Sequence, residues 1–242
     1  MRLKGALPLL LVAGIVACSS PSPVEEIIDS NIAARGGYER IRKINSIRAT
    51  GTATASGGRV ARVVYEIKRG GLFRLEFSSQ GLTSVFAHDV AGAWEVDPMD
   101  GQFEPRRVTP ETDSPMGIGE RDIESHFVDW EEKQHLVELL GREQLSSGEA
   151  FKLKTTLKDG NIRHDYIDVT TRQIVRSDIP RRIRGRDTVV VDTFSDFWES
   201  EGLVFPHRVE TRVEGRPDLI TIVVDGFELN PELDDARFRF PE

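Results

Sequence analysis

Cysteine is almost absent, with one in 242 residues. That excludes an internal disulfide, a cysteine-based zinc cluster and a CxxC redox pair. Positive charge is in the minority: 32 Lys and Arg against 40 Asp and Glu leave a net charge of −8. Nonspecific nucleic-acid binding, which needs phosphates neutralised by Lys and Arg, is a poor fit to that balance. No apolar run reaches the roughly 20 residues of a spanning helix, so a polytopic helical membrane protein is a poor reading. The five histidines, His88, His126, His135, His164 and His207, show no HxH or HxxxH pair, so no metal site is expected. GxSxG and phosphate-binding glycine loops are also missing, and Gly117-Ile118-Gly119 lacks the rest of any nucleotide fingerprint. Paired carboxylates such as Glu131-Glu132 and Asp234-Asp235 read as solvated surface. The chain is therefore read as a non-enzyme, with no catalytic residue, no metal and no cofactor.

What is present is an ordinary globular composition, 38% hydrophobic and 30% charged, which argues against disorder and collagen-like repeats. The N-terminus has the parts of a secretory signal: Arg2 and Lys4, then an apolar run from Ala6 to Ala17. The only cysteine follows in Ile15-Val16-Ala17-Cys18-Ser19-Ser20. This pattern resembles the bacterial lipoprotein signal, in which that cysteine is lipidated and becomes the first mature residue. The expected division is a signal peptide over 1–17, a lipidated Cys18 with a short Ser/Pro tether over 18–23, and one domain over 24–242. The competing reading is an ordinary signal with an incidental cysteine.

Val24, Ile27, Ile28 and Ile32 recur at helical spacing and predict a helix over 24–35, with Glu25 and Glu26 in its first turn and Gly36-Gly37 as its stop. A second short helix is predicted over 38–44. From Ser46 the apolar period becomes two. Strands are predicted over 48–55, 60–68, 72–79, 82–88, 93–96 and 102–108, and again over 135–144, 150–157, 163–169, 174–180, 187–199, 203–213 and 219–229. Tight Gly-bearing turns join most of them, so the pattern is an antiparallel meander. About a dozen strands in one meander must curl or close. Between the two runs, 109–130 breaks the rhythm and reads equally as a helical lid or as a plain connection.

Several strings are more specific. They are A-A-R-G-G-Y-E-R-I-R-K-I (33–44), G-A-W-E-V-D-P (92–98), V-E-L-L-G-R-E (137–143), F-K-L-K-T-T-L-K-D-G (151–160), G-L-V-F-P-H (202–207) and E-L-N-P-E-L-D-D-A-R-F (228–238). Together they resemble the LolA/LolB-like family of outer-membrane lipoprotein-sorting proteins over nearly the whole mature chain. The resemblance implies a mainly β (α+β) fold: a curved antiparallel sheet forming an unclosed barrel, with N-terminal helices and a candidate lid on the concave side. It also implies an apolar cavity that binds acyl chains of lipoproteins or other lipids. Cys18 groups the chain with the lipid-anchored branch, facing the periplasm from the outer membrane of a Gram-negative bacterium, where Ser19 after the cysteine also points. A monomer is expected, with an envelope protein as a further candidate partner. An interaction or stress-sensing module and a purely structural lipoprotein are the rival functions on the same scaffold.

Val63, Tyr65 and Ile67 alternate on one predicted strand and Phe73, Leu75 and Phe77 on the next. With Phe86, they are the candidate cavity lining beneath the helices. Phe194 and Phe205 are further candidates for that inner face. Leu82, beside the Gln80-Gly81 turn, is a candidate apolar loop tip or an ordinary strand residue. Arg172, Arg176, Arg181, Arg182, Arg184 and Arg186 cluster in sequence. On one extended segment Arg182, Arg184 and Arg186 would share a face. That face reads either as a contact for lipid headgroups or an acidic partner, or as a charged hairpin tip that keeps an edge soluble. The anchor reading has a direct consequence. Cys18→Ala should release the protein into the soluble periplasmic fraction or leave an uncleaved precursor, as read by fractionation and mass. A fully processed mutant that stays with membranes contradicts it.

Overall fold

The computed structural model describes residues 21–108, 123–183, 185–217 and 219–241. It opens with helix α1 (Pro23–Ala34), whose start is a capping box. The Ser22 hydroxyl accepts from the Glu25 amide at 3.2 Å, and the Glu25 carboxylate accepts from the Ser22 amide. Two orphan donors are thereby satisfied. The predicted stripe turns inward, with Ile27, Ile28 and Ile32 buried. At Gly36, φ is +120° and a Cβ would lie 2.3 Å from the Gly202 carbonyl oxygen, so only glycine fits. Helix α2 (Tyr38–Ile41) is shorter than predicted. The chain leaves it in tight i to i+3 turns (Lys43 N to Arg40 O, Ile44 N to Ile41 O), which still deliver Ile44 to the core.

Thirteen strands follow: β1 (Ser46–Ala55), β2 (Val60–Lys68), β3 (Leu72–Ser79), β4 (Leu82–Asp89), β5 (Gly92–Asp97), β6 (Gln102–Val108), β7 (Leu136–Leu145), β8 (Gly148–Thr156), β9 (Ile162–Asp168), β10 (Ile174–Ile183), β11 (Arg186–Ser200), β12 (Leu203–Val213) and β13 (Leu219–Leu229). All belong to one antiparallel sheet in the order β6-β5-β4-β3-β2-β1-β13-β12-β11-β10-β9-β8-β7. The first and last strands pair in the middle of the sheet, so its two edges come from mid-chain. Among the described residues no ladder joins β6 to β7, and the barrel is unclosed.

The central seam depends on small residues. β1 carries a register shift between Thr50 and Gly51 opposite β13. There a side chain on residue 51 would place its Cβ 2.3 Å from the Val223 carbonyl oxygen. The glycine therefore permits the two backbones to approach and the sheet to bend.

The concave face packs around Ile27, Ile28, Ile32, Ile41, Ile44, Ile47 and Ile67, joined by Phe127 and Val128. Phe127 and Val128 belong to the segment over 109–130 that reads equally as a helical lid or as a plain connection. The described part of that segment, 123–134, forms turns rather than a helix, and Phe127 and Val128 are fully buried. The segment is built into the core at this point; 109–122 lie outside the described residues. The convex face is covered by the C-terminal stretch. Trp94 packs on Val85 and Ala87, and its indole N–H donates to the Phe238 carbonyl at 2.8 Å. Beside it, fully buried Glu66 is held by Arg48 and Arg237, each at 2.9 Å.

Gly51→Ala forces backbone at the seam to move. It should cost about 1–3 kcal/mol, the usual scale for overpacking a tight core site, read as a lower urea midpoint at unchanged slope.

Candidate functional site

The strand period determines what faces inward. On β1 these are Ile47, Ala49 and Gly51; on β2, Val63, Tyr65 and Ile67. Register places Val63 opposite Phe77, Tyr65 opposite Leu75 and Ile67 opposite Phe73, so the two predicted triplets share one face. Together with the inner faces of β10–β13 they enclose a cavity of about 390 Å³, within the usual range for a small-molecule site. Val63, Tyr65, Ile67, Phe73 and Leu75 line it. Phe77 and Phe86 do not. They lie on the same face but are buried with Ala53 and Val63 in a cluster of their own. Phe194 and Phe205 also line the cavity, and Phe205 stacks on Phe227 at 4.5 Å. The cluster that contains α1 packs against Tyr65, Phe205 and Phe227 of the lining, and at that end Arg35, Ile123 and Ser125 meet the cavity.

One wall is polar, which sequence reading missed. Asp165 on β9 has no exposed surface. Its carboxylate accepts from the Arg163 guanidinium at 2.9 and 3.0 Å and from the Ser177 hydroxyl at 2.6 Å. Arg163 also donates to Ser177 at 3.1 Å. His126 Nε2, from the buried 123–134 turn, lies 3.0 Å from the second carboxylate oxygen. Burial alone would raise the Asp165 pKa. The opposing field and hydrogen bonds of Arg163 and His126 outweigh it and hold the carboxyl far below its usual range. Two strands away on the same wall, Asp192 is held above the ordinary carboxylate value by burial, against the pull of Thr211, Arg163 and Arg181. The Thr211 hydroxyl donates to it at 2.6 Å. No local motif marks these residues: β-pairing sets Ser177 beside Asp165, and packing of the 123–134 turn brings His126 to them.

The arginine cluster does not act as one face. The β10–β11 hairpin turns inside it, pairing Arg182 with Asp187 and Ile183 with Arg186. Paired residues share a face and neighbours alternate, so Arg182 and Arg186 project to opposite sides of the sheet. This corrects the shared-face expectation; Arg184 lies outside the described residues. Arg182 is exposed and 4.0 Å from a still more exposed Asp187. Arg181 lines the cavity, Arg176 is paired with Asp178 at 2.6 Å over the Tyr166 ring, and Arg172 lies over Phe151. Leu82 is the first residue of β4, 40% exposed at its turn. Cys18 lies outside the described residues.

Comparison with solved structures identifies the fold. A LolA superfamily protein, NE2245 from Nitrosomonas europaea, superposes with a TM-score of 0.58 at 11% identity, over 90% of this chain and 98% of its own. A DUF1329 family protein from Desulfovibrio piger ATCC 29098 gives 0.52 at 12% identity, over 90% and 98%. A domain from Vibrio parahaemolyticus, described as an outer membrane lipoprotein-sorting protein, gives 0.51 at 14% identity, over 88% and 94%. No protein-family model and no curated protein sequence matches the chain. The chain therefore has a LolA/LolB-like fold, and at these identities the likeness is one of fold.

The Asp165 network makes stability depend on pH. A carboxyl depressed in the folded state contributes stability that is fully present above its unfolded value of about 3.9 and is lost as pH falls toward the folded value. Urea stability should therefore drop below about pH 4. Asp165→Asn should lose about 3–5 kcal/mol at neutral pH, because Arg163 and His126 are left buried without their anion. It should also flatten that acid limb.

Proposed function

We propose that this protein is a non-catalytic binding module of the bacterial envelope that holds an acyl chain in its concave cavity. The observation that carries the proposal is the cavity itself, a largely apolar space of about 390 Å³ left between the two halves of the sheet. Each methylene moved into it from water contributes about 0.8 kcal/mol. The fold shared with a LolA superfamily protein supports the same reading. We further propose that Cys18 carries the lipid anchor, so that the domain works as a monomer on the periplasmic side of the outer membrane. Acyl chains of lipoproteins or of other lipids would be its cargo, in lipoprotein sorting or envelope lipid transport.

The test is displacement of a fluorescent fatty-acyl probe. Wild type should bind it saturably. Ala49→Phe puts an uncharged ring into the cavity wall and should weaken binding at least tenfold, while thermal unfolding shows a folded protein. If folded wild type binds no acyl probe, the carrier reading fails and the interaction-module reading replaces it.

A further inference from the structure

The root of the chain that leads to Cys18 is rigid, and it decides which side of the domain can meet lipid. This step rests on the reading that Cys18 carries the anchor. Cys18 stands four residues before Ser22, and four extended residues reach at most about 14 Å. Ser22 is held in its reciprocal cap with Glu25. Pro21 and Pro23 flank it, and proline restricts its own backbone and that of the residue before it. The domain therefore has little freedom to swing on its anchor, and the surface around the start of α1 lies next to the bilayer.

That surface is built by α1 and the edge strand β7. Pro23, Glu26 and Ile27 of α1 face Gly141 and Arg142 of β7 across a groove that Phe151 also lines. The register of β7 against β8 slips between Leu139 and Gly141. The extra residue of this bulge, Leu140, has no partner in the ladder and is 51% exposed. Arg142 lays its guanidinium over the Phe151 ring at 4.8 Å and pairs with exposed Glu149 at 3.1 Å. A single exposed leucine is ordinary on a soluble surface; this one gains meaning from its place beside the anchor. An apolar side chain next to an arginine whose stem lies on apolar surface suits the boundary between acyl chains and headgroups. Net charge is not what the face offers, because Glu26 and Glu149 offset Arg142 and Arg172 there.

We propose that the domain rests on the bilayer through the bulge of β7 and the first turn of α1. Leu140 lies in the interfacial layer and the Arg142 guanidinium lies at the level of the headgroups. The anchor supplies the affinity and Leu140 sets the orientation, so a lipid surface without net charge is sufficient. The β12–β13 turn, carried by strands at the middle of the sheet, then points away from the membrane.

The acylated full-length product offers a direct test. The chain has one cysteine, and lipidation consumes its thiol, so an engineered cysteine is the only one left to label. A nitroxide is placed on Leu140→Cys, Arg142→Cys and Arg216→Cys, all exposed sites, the last on the β12–β13 turn. Each protein is inserted into vesicles of phosphatidylcholine and phosphatidylethanolamine, and circular dichroism checks that it is folded. At residues 140 and 142, collision with oxygen should rise and collision with a water-soluble nickel chelate should fall severalfold relative to residue 216. Equal accessibility at all three sites, in protein that floats with the vesicles, overturns the contact face and leaves the anchor standing. Protection of residue 140 from both oxygen and the chelate means that protein covers β7, as a second copy or an envelope partner, and this also overturns the lipid contact. A chain that does not float with the vesicles overturns the contact and the anchor together.

Discussion

The pairing of β1 with β13 is the constraint on which the rest of the structure depends. A meander of thirteen strands could lie open with its first and last strands as the two edges. Here those strands meet instead, through a seam that tolerates no side chain at Gly51. The meander is thereby cut in the middle of the chain, and its free edges become β6 and β7. The consequence is a deep curved sheet with a single concave face. That face is too broad for two helices of 12 and four residues to cover. The helices and the buried 123–134 turn fill one end, and the rest of the concave face remains as the cavity. A core too small for its own sheet is thus a product of topology, before any ligand is considered.

Polar groups are spent in two different ways on the two faces. On the convex side Glu66 is buried between Arg48 and Arg237, and the latter comes from the C-terminal stretch. That ion pair ties chain ends together where the Trp94 cluster already supplies apolar burial. On the concave side Asp165 gathers Arg163, Ser177 and His126. It anchors the turn that carries Phe127 and Val128, and it also makes a polar band inside an otherwise apolar space. Replacing either network by hydrophobic residues of equal volume need not destabilise the fold. Only the concave network faces a cavity, so it is the one whose polarity a ligand would meet.

The strands were legible because their apolar period is two and Gly-bearing turns punctuate them. The capping box is legible only in part: the place of Glu25 in the first turn predicts that it complements the helix dipole, and it also closes a reciprocal hydrogen bond with Ser22. The facing triplets on β2 and β3 followed from alternation across a tight turn, a local rule that needs no knowledge of the rest of the sheet. The polar wall was not legible. Its members come from β9, β10 and the 123–134 turn, and nothing in their spacing announces a meeting that strand pairing and the packing of that turn create together. The arginine cluster failed in the opposite sense. It is contiguous in sequence, but the hairpin turn falls within it and sends Arg181 into the cavity while Arg182 points away. Local periodicity sees through a strand, and it is blind at the residue where a strand reverses.

The size of the cavity bears on how the empty protein can be stable. The space of about 390 Å³ is open to solvent rather than sealed, so the cost of a dry apolar void, about 24 cal/mol per Å³, does not arise and water fills the empty form. The polar row makes solvent tenable, because Ser177, Asp192 and Thr211 offer the two to four hydrogen-bonding partners that an ordered water requires. The apolar wall offers none, so water along Val63, Tyr65 and Leu75 is poorly held and is released at little cost when an alkyl chain arrives. The division of the cavity therefore keeps water along the polar row and lets it leave from the apolar wall, where a chain would lie.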